Sequence, residues 1–399
     1  MYDVIVVGAR CAGASTAMLL ARQGHRVLLV DRSTFPSDLR LSTHLVWQPG
    51  VAALKRWGLL DELVASGCPP MTTAAMDVGG FTVTGTMPAA DGVREAYAPR
   101  RIVLDAILVN AAVEAGAELW EGCTVDELLT DDSVGAGPQV RGIRGHLRGG
   151  RTVSATATVV VGADGMRSPT AARVGASMYL ARPARQGTYF TYWSGLPSRV
   201  NTLYPRPYRS VVTIPTNDDL TLVAVNWAID DYRAVHHDIE GQYHQTIAEA
   251  APKLAEQLRG GRREDRWIGA AVPSWFRRPY GPGWALVGDA GYLKDPCTAQ
   301  GITDAFLHAE LLANALDDGL RHREPFGKAL AAYERQRNAA VMSMYDFTYA
   351  TSALAPPTPQ EERLFTAMRD DPVLVGRFLG VFAGTVAVQD FFASPSTAA

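Results

Sequence analysis

The stretch VIVVGARCAGASTAMLLARQGHRVLLVD (residues 4–31) decides the fold of this 399-residue chain. VIVVG (4–8) is a short, wholly apolar run with the length of a buried strand. ASTAMLLARQG (14–24) alternates small and apolar residues at helical spacing, and HRVLLVD (25–31) is a second buried strand ending in an acid. Two strands apolar on both faces, joined through a helix, form a β-α-β unit of a parallel sheet. The turn between strand and helix reads Gly8-Ala9-Arg10-Cys11-Ala12-Gly13, a G-x-G-x-x-G pattern whose middle glycine is arginine. A helix N-terminus reached through glycines receives a dinucleotide's pyrophosphate, and Asp31 stands where an acid holds the adenosine ribose. Arg32 follows it. Arg10 either brings a cation to the diphosphate or faces solvent on a wider turn.

Further on, the rhythm changes. Pro70 to Pro99 is rich in glycine and threonine and reads as short antiparallel strands, whereas ILVNAAVEAG (107–116) is helical. ATATVVVGADG (155–165) is again a buried strand. From Gly175 to Trp275 the chain loses the βαβ pattern, and YFTYWSGL, SVVTIPT and LTLVAVNWAI read as half-buried, aromatic strands. GWALVGDA (283–290) restores a buried strand, and ITDAFLHAELLANALDDG (302–319) is a long helix. The expected architecture is α/β: a discontinuous Rossmann-like domain (1–75, 100–175, 276–320) interrupted by a β-rich domain (76–99, 176–275). A C-terminal helical segment (321–399) completes it, with a polar tail from Ala393 to Ala399 expected to fray.

Composition narrows the function. Hydrophobic residues make 47% and charged residues 20%, which excludes a disordered or fibrous chain. A net charge of -3 argues against a nucleic-acid surface, and no apolar run has the length of a membrane span, so the cytoplasm is the expected location. Cys11, Cys68, Cys123 and Cys297 are scattered, so neither a disulfide framework nor a metal site is expected. Only four lysines stand against 34 arginines, a skew that codon usage explains more simply than anion binding.

Two further motifs, VVVGADGMRSPTAARVG (159–175) and GWALVGDAGYLKDPCTAQGITDA (283–305), each end a buried strand in a glycine-acid turn. With the fingerprint, over roughly residues 1–320, the chain resembles the FAD-dependent monooxygenases of the para-hydroxybenzoate hydroxylase fold. The resemblance implies FAD as resident cofactor and NADPH or NADH as transient reductant. It further implies oxygen transfer from O2, through a C4a-hydroperoxyflavin, to an aromatic, polycyclic or other electron-rich small molecule of the kind met in secondary metabolism. Monomer and homodimer are both open. By the same resemblance, Gly8, Arg10, Cys11, Ala12, Gly13, Asp31 and Arg32 approach the ADP half, Val125 meets adenine, and Arg101, Asp164 and Asp289 contact FAD. Pro296, Gln300, Gly301 and Ile302 border the flavin ring. Amides at the start of the long helix would there face a carbonyl that gains negative charge on reduction.

FPSDLRLSTHLVWQPG (35–50) falls where this fold lays a loop beside the flavin. His44 is either a base that deprotonates a phenol or a packed histidine, and Trp47 either stacks on substrate or fills the core. Tyr189, Tyr192, Trp193 and Trp227 either roof a substrate cavity or pack their sheet. His236-His237 reads as surface. An alkene reductase resembling geranylgeranyl reductases is the alternative reading. A flavin-dependent halogenase is disfavoured: no lysine lies between Lys55 and Lys253, and YWSGLP (192–197) keeps only the proline of W-x-W-x-I-P. A flavin-binding scaffold without chemistry is the reading from another class.

Overall fold

The computed structural model describes residues 1–131, 138–197 and 200–393, so most of the polar tail lies outside the described residues. The fingerprint strand Tyr2–Val7 sits in the middle of a parallel sheet. Val4 pairs with Val27 on one side and with Val159 on the other. Beyond Val27–Val30 comes Glu118–Trp120, and beyond Thr152–Gly162 comes Trp284–Leu286, all parallel. The three sequence segments of the expected dinucleotide fold thus share one sheet. Its two faces separate by origin. The fingerprint helix Cys11–Arg22, the helix Arg101–Glu114 and the long helix Gly301–Leu320 pack on one. The antiparallel strands Cys123–Asp131 and Gln139–Leu147 supply side chains to the core on the other.

A second sheet follows the order Arg262–Arg263, Gln186–Ser194, Thr221–Ala228, Arg209–Pro215, Asn201–Arg206, Thr73–Asp77, Thr82–Thr86. Its strands are antiparallel except where Asn201–Arg206 runs alongside Thr73–Asp77. Alternation along Gln186–Ser194 sends Phe190 and Tyr192 to one face and Tyr189 and Trp193 to the other. The latter face, with Trp227, is closed by the helices Ile239–Ala250 and Pro252–Gly260. There Trp193 Nε1 donates to Tyr243 Oη at 3.2 Å and Trp227 Nε1 to Thr246 Oγ1 at 3.0 Å, so both indoles are satisfied inside the core. The His236 and His237 rings lie 3.8 Å apart, tilted by 39°, and His236 is partnered by the Arg233 carbonyl.

The C-terminal segment is helical: Phe326–Thr351, Pro359–Met368, Pro372–Ala383 and Val388–Phe392. Thr358 and Glu361 form a reciprocal capping box, and Asp371 caps the next helix through the Val373 and Leu374 amides. Arg337, 1% exposed, spends its guanidinium on the Gly291 and Arg277 carbonyls and Tyr179 Oη, which anchors Phe326–Thr351 behind the Gly288–Ala290 turn. No helix among the described residues is long and apolar enough to cross a membrane. The four cysteines are free, and no group of three His, Cys, Asp or Glu among the described residues is placed to hold a metal.

The long helix buries an ionisable group without compensation. His308 is 1% exposed, neither ring nitrogen has a hydrogen-bond partner, and burial holds its pKa well below 6.5. The unfolded chain therefore binds a proton that the folded chain refuses, and stability falls as pH drops below 6.5. His308→Met removes that proton. We expect it to raise the melting temperature more at pH 5 than at pH 7.5, by calorimetry; an equal gain at both would show that His308 does not set acid stability.

Candidate active site

The geometry of the fingerprint turn explains which glycines it keeps. Gly8 has φ +106°, and a Cβ there would lie 2.4 Å from the Ala163 carbonyl oxygen. A Cβ on Gly13 would lie 1.8 Å from the Gly8 oxygen. Both positions need glycine because two backbones nearly touch. Arg10 occupies the middle position at φ −100°, an extended conformation open to any residue. Its guanidinium turns away from solvent, donating to Asp105 Oδ2 at 2.6 Å and to Ser37 Oγ at 3.1 Å. Asp105 is wholly buried and also accepts Arg101 Nε at 3.0 Å, Arg101 Nη2 at 2.8 Å and the Cys11 thiol at 3.4 Å. Burial pushes the Cys11 thiol pKa up, so it serves as a donor.

The other ADP-side candidates divide. Asp31, 9% exposed, accepts the Ala9 amide at 2.7 Å and the Ser33 amide at 2.7 Å, tying the strand end to the fingerprint turn. Arg32 beside it is exposed. Asp164 accepts from Ser168 Oγ and from the Thr170 amide at 2.9 Å, so it organises its own turn. The Val125 carbonyl accepts Arg173 Nη2 at 3.2 Å.

On the flavin side, Asp289, Pro296 and Gly301 keep exposed surface within a stretch that is otherwise largely buried. Asp289 is open to solvent yet ringed by protein, as a group on a cleft wall is. Burial raises its carboxyl pKa to about 6, with Arg101 and Lys294 pulling down and Asp304 pushing up. Lys294 and Asp304 form a buried ion pair beside it. The long helix begins at Gly301 with no side chain capping its first turn, and a Cβ on Gly301 would meet open space. Uncapped amides at an open helix start suit an electron-rich flavin edge. Ile302 is buried behind this opening, and Ala12 meets the Gly288 turn so closely that a Cβ there would lie 2.6 Å from its own. The residues present fit FAD: the uncapped amides of the long helix for the ring end, and a fingerprint helix started tightly by Gly8 and Gly13 for the dinucleotide end.

The turn itself is braced. Asp295, 3% exposed, accepts Gln186 Nε2 at 2.5 Å and the Cys297 amide at 2.9 Å, and burial lifts its carboxyl to about 6. Trp47 Nε1 donates to the Thr298 carbonyl at 2.9 Å, so this tryptophan is a buried strut of the turn. Gln300 Nε2 donates to the Phe382 carbonyl at 2.5 Å. His44, in the left-handed region at φ +64° and 1% exposed, hydrogen-bonds through Nε2 to Tyr192 Oη, while Nδ1 has no partner. Arg100 stacks over the Tyr192 ring at 4.4 Å and pairs with Asp38 at 3.4 Å. Burial, then Arg101 and Arg100, hold the His44 pKa well below 6.5. Of the four aromatics expected as a roof, only Tyr192 meets His44; Tyr189, Trp193 and Trp227 face away. Asp105, Arg100, Lys294 and Asp304 are additions to the sequence reading. The Arg101–Asp105 i,i+4 spacing was the one signal for them.

A model of the FAD binding domain family matches residues 1–348. The chain belongs to this family. It is an FAD-dependent oxidoreductase of the para-hydroxybenzoate hydroxylase fold. Among curated proteins it is 28% identical to a phenazine 1,6-dicarboxylic acid hydroxylase of Lysobacter antibioticus, covering 92% of this chain and 95% of that one. It is 26% identical to a digeranylgeranylglycerophospholipid reductase of Methanocella arvoryzae, covering 87% and 86%. Among solved structures, a flavin-dependent brominase superposes with TM-score 0.81 at 20% identity over 96% of this chain and 93% of that one, a likeness of fold.

Asp289 generates a titration prediction for this flavoprotein. An anionic diphosphate entering the cleft favours the protonated carboxyl, so FAD binding takes up a proton. The affinity, read by quenching of flavin fluorescence, is expected to tighten as pH falls from 8 toward 6. In Asp289→Asn the slope flattens. Weaker binding on acidification would show that the carboxylate is the form the ligand selects.

Proposed function

We propose that this flavoprotein is a monooxygenase that inserts one atom of O2 into an electron-rich ring or alkene of a small aromatic or polycyclic molecule. NADPH or NADH is the proposed reductant. Bound FAD supplies the two-electron reduction and the oxygen activation; the protein supplies orientation, exclusion of water and proton handling.

The observation that carries this reading is His44 Nδ1, a buried ring nitrogen without a partner, on the loop whose Trp47 braces the flavin turn. A polar atom left unsatisfied in a buried site costs about 1–3 kcal/mol, and a left-handed histidine adds strain of similar order. Function is the usual reason such costs persist. When Nε2–H donates to Tyr192 Oη, Nδ1 is a free acceptor for a substrate hydroxyl proton. As Nδ1 takes that proton, the Nε2–H bond to the tyrosine oxygen orients the ring and steadies the imidazolium that forms. Burial and the flanking arginines oppose that charge, so the ring holds the proton only in passing and gives it up readily. A deprotonated phenol is a stronger nucleophile toward an electrophilic oxygen.

The digeranylgeranylglycerophospholipid reductase relative supports a second reading, hydride transfer to an alkene. Oxygen separates the two: a reductase forms product anaerobically, a monooxygenase does not. Anaerobic mixing of holoenzyme with NADPH or NADH, followed by admission of oxygen, tests the first half of the proposal; a flavin that neither nucleotide reduces would sink its single-component form. His44→Ala is expected to lower kcat toward a phenolic substrate by about 100-fold or more, and Tyr192→Phe by about tenfold, with FAD still bound. Since the His44 pKa lies well below 6.5, the wild-type rate should stay flat from pH 8 to below 6.5 and fall only on further acidification. A midpoint at or above 6.5 that disappears in His44→Ala would assign His44 a charged role instead.

A further inference from the structure

The residues beyond 348 lie outside the family match, yet they pack against the site. PVLVGRFLGVFA (372–383) is apolar almost throughout. Leu374, Val375, Phe378 and Leu379 are buried in one cluster with Leu45, Trp47, Phe190 and Tyr192, the wall that carries the His44 contact. One hydrogen bond fixes this helix to the flavin turn, Gln300 to the Phe382 carbonyl at 2.5 Å; the end of Phe326–Thr351 adds two, Thr298 to Thr348 between hydroxyls at 2.9 Å and Cys297 Sγ to the Thr348 carbonyl at 3.5 Å. The helix then stops at Gly384, φ +73°, where a Cβ would come to 3.2 Å of Gln300 Nε2. Its end is therefore seated on the turn.

Among the partly exposed residues of this apolar body, one group borders the flavin turn. Ala299 on the turn and Phe347, Phe382 and Val386 on the C-terminal side are only half-buried, next to exposed Pro296 and Gly384. Phe347 and Phe382 meet edge to face at 5.3 Å, and Phe382 meets Phe378 at 5.6 Å. None of these residues carries a charge. Edge-to-face rings at a lip of this kind offer a flat apolar molecule both surface and orientation. Tyr192 of the same cluster carries the bond to His44, whose Nδ1 has no partner and suits a hydroxyl.

We propose that the C-terminal helices form the mouth of the substrate chamber, with Phe347 and Phe382 as specificity-determining residues selecting a flat, uncharged, largely apolar molecule that bears a hydroxyl. The proposal rests on the flavin site as read above, but binding at the mouth is independent of oxygen transfer.

The test uses FAD-loaded enzyme and two probes of equal ring size, 2-naphthol and naphthalene-2-sulfonate, titrated while the flavin absorbance is followed. Saturable perturbation by 2-naphthol is expected, with the sulfonate weaker by about tenfold or more. Phe382→Ala and Phe347→Ala should each weaken 2-naphthol binding about tenfold with FAD affinity unchanged, and Phe382→Leu should recover most of it. Thermal melts of the same variants identify any that fails to fold, and Phe382→Leu then carries the comparison. Equal binding of both probes, wild-type affinity in the alanine variants, or no perturbation by either probe would overturn the proposal. Intact 2-naphthol binding without oxygen-dependent product supports the mouth and overturns the monooxygenase reading instead.

Discussion

Asp105 is the constraint on which the site depends. Its carboxylate is wholly buried and is shared by Arg10 from the fingerprint turn, Arg101 from its own helix and the Cys11 thiol. A buried carboxylate is costly to hold, and removing one partner from such a set costs about 3–5 kcal/mol because the remaining charge is stranded. Here the arrangement fixes backbone as well as charge. Arg10 stands where the motif usually has glycine, and its side chain is drawn inward, so the turn stays open toward the cleft. Arg101 lies within electrostatic reach of Asp289, the acid of the third motif. One carboxylate thereby relates segments separated by nearly two hundred residues.

The same arginine extends the constraint toward the chemistry. Arg10 holds Ser37, and the next residue, Asp38, pairs with Arg100 over the Tyr192 ring. Arg40 reaches Asp265 on the far side. The loop from Ser33 to His44 has little regular structure of its own, but it is pinned at three points along its length. Such pinning is what allows His44 to keep a left-handed backbone and an unpartnered ring nitrogen. A freely moving loop would relax both.

The fold was legible because its signals are local. Buried strands with glycine turns announce themselves at 4–31, 155–165 and 283–290, and all three enter one sheet. The site was legible only where a residue's role follows from backbone geometry, as at Gly8, Gly13 and the open start of the long helix. Side-chain pairing was not. Nothing in the spacing of His44 and Tyr192, 148 positions apart, indicates that they meet. The aromatic strands misled for a related reason. Tyr189, Tyr192 and Trp193 sit on one strand, but a period of two sends them to opposite faces, and which face meets the flavin depends on helices that come later in the chain. Arg10 too reads differently in sequence and in space, because its partner Asp105 is supplied by another helix.

The cost of this architecture concentrates around one cleft. Asp289, Asp295 and Asp304 all have carboxyl pKa values raised by burial, and His44 and His308 have theirs depressed by it. Burial shifts each toward its neutral form, with Asp289 and Asp295 brought to about 6, so the carboxylates around the flavin turn hold their charge less firmly than exposed ones do, and Asp304 holds its own against Lys294. A cofactor whose charge changes on reduction gains from that. Its own charge then meets oriented helix amides and a few placed cations, not a field of carboxylates that would have to rearrange. The C-terminal helices meet this region with apolar faces. Tyr192, in the same cluster, carries the bond to His44.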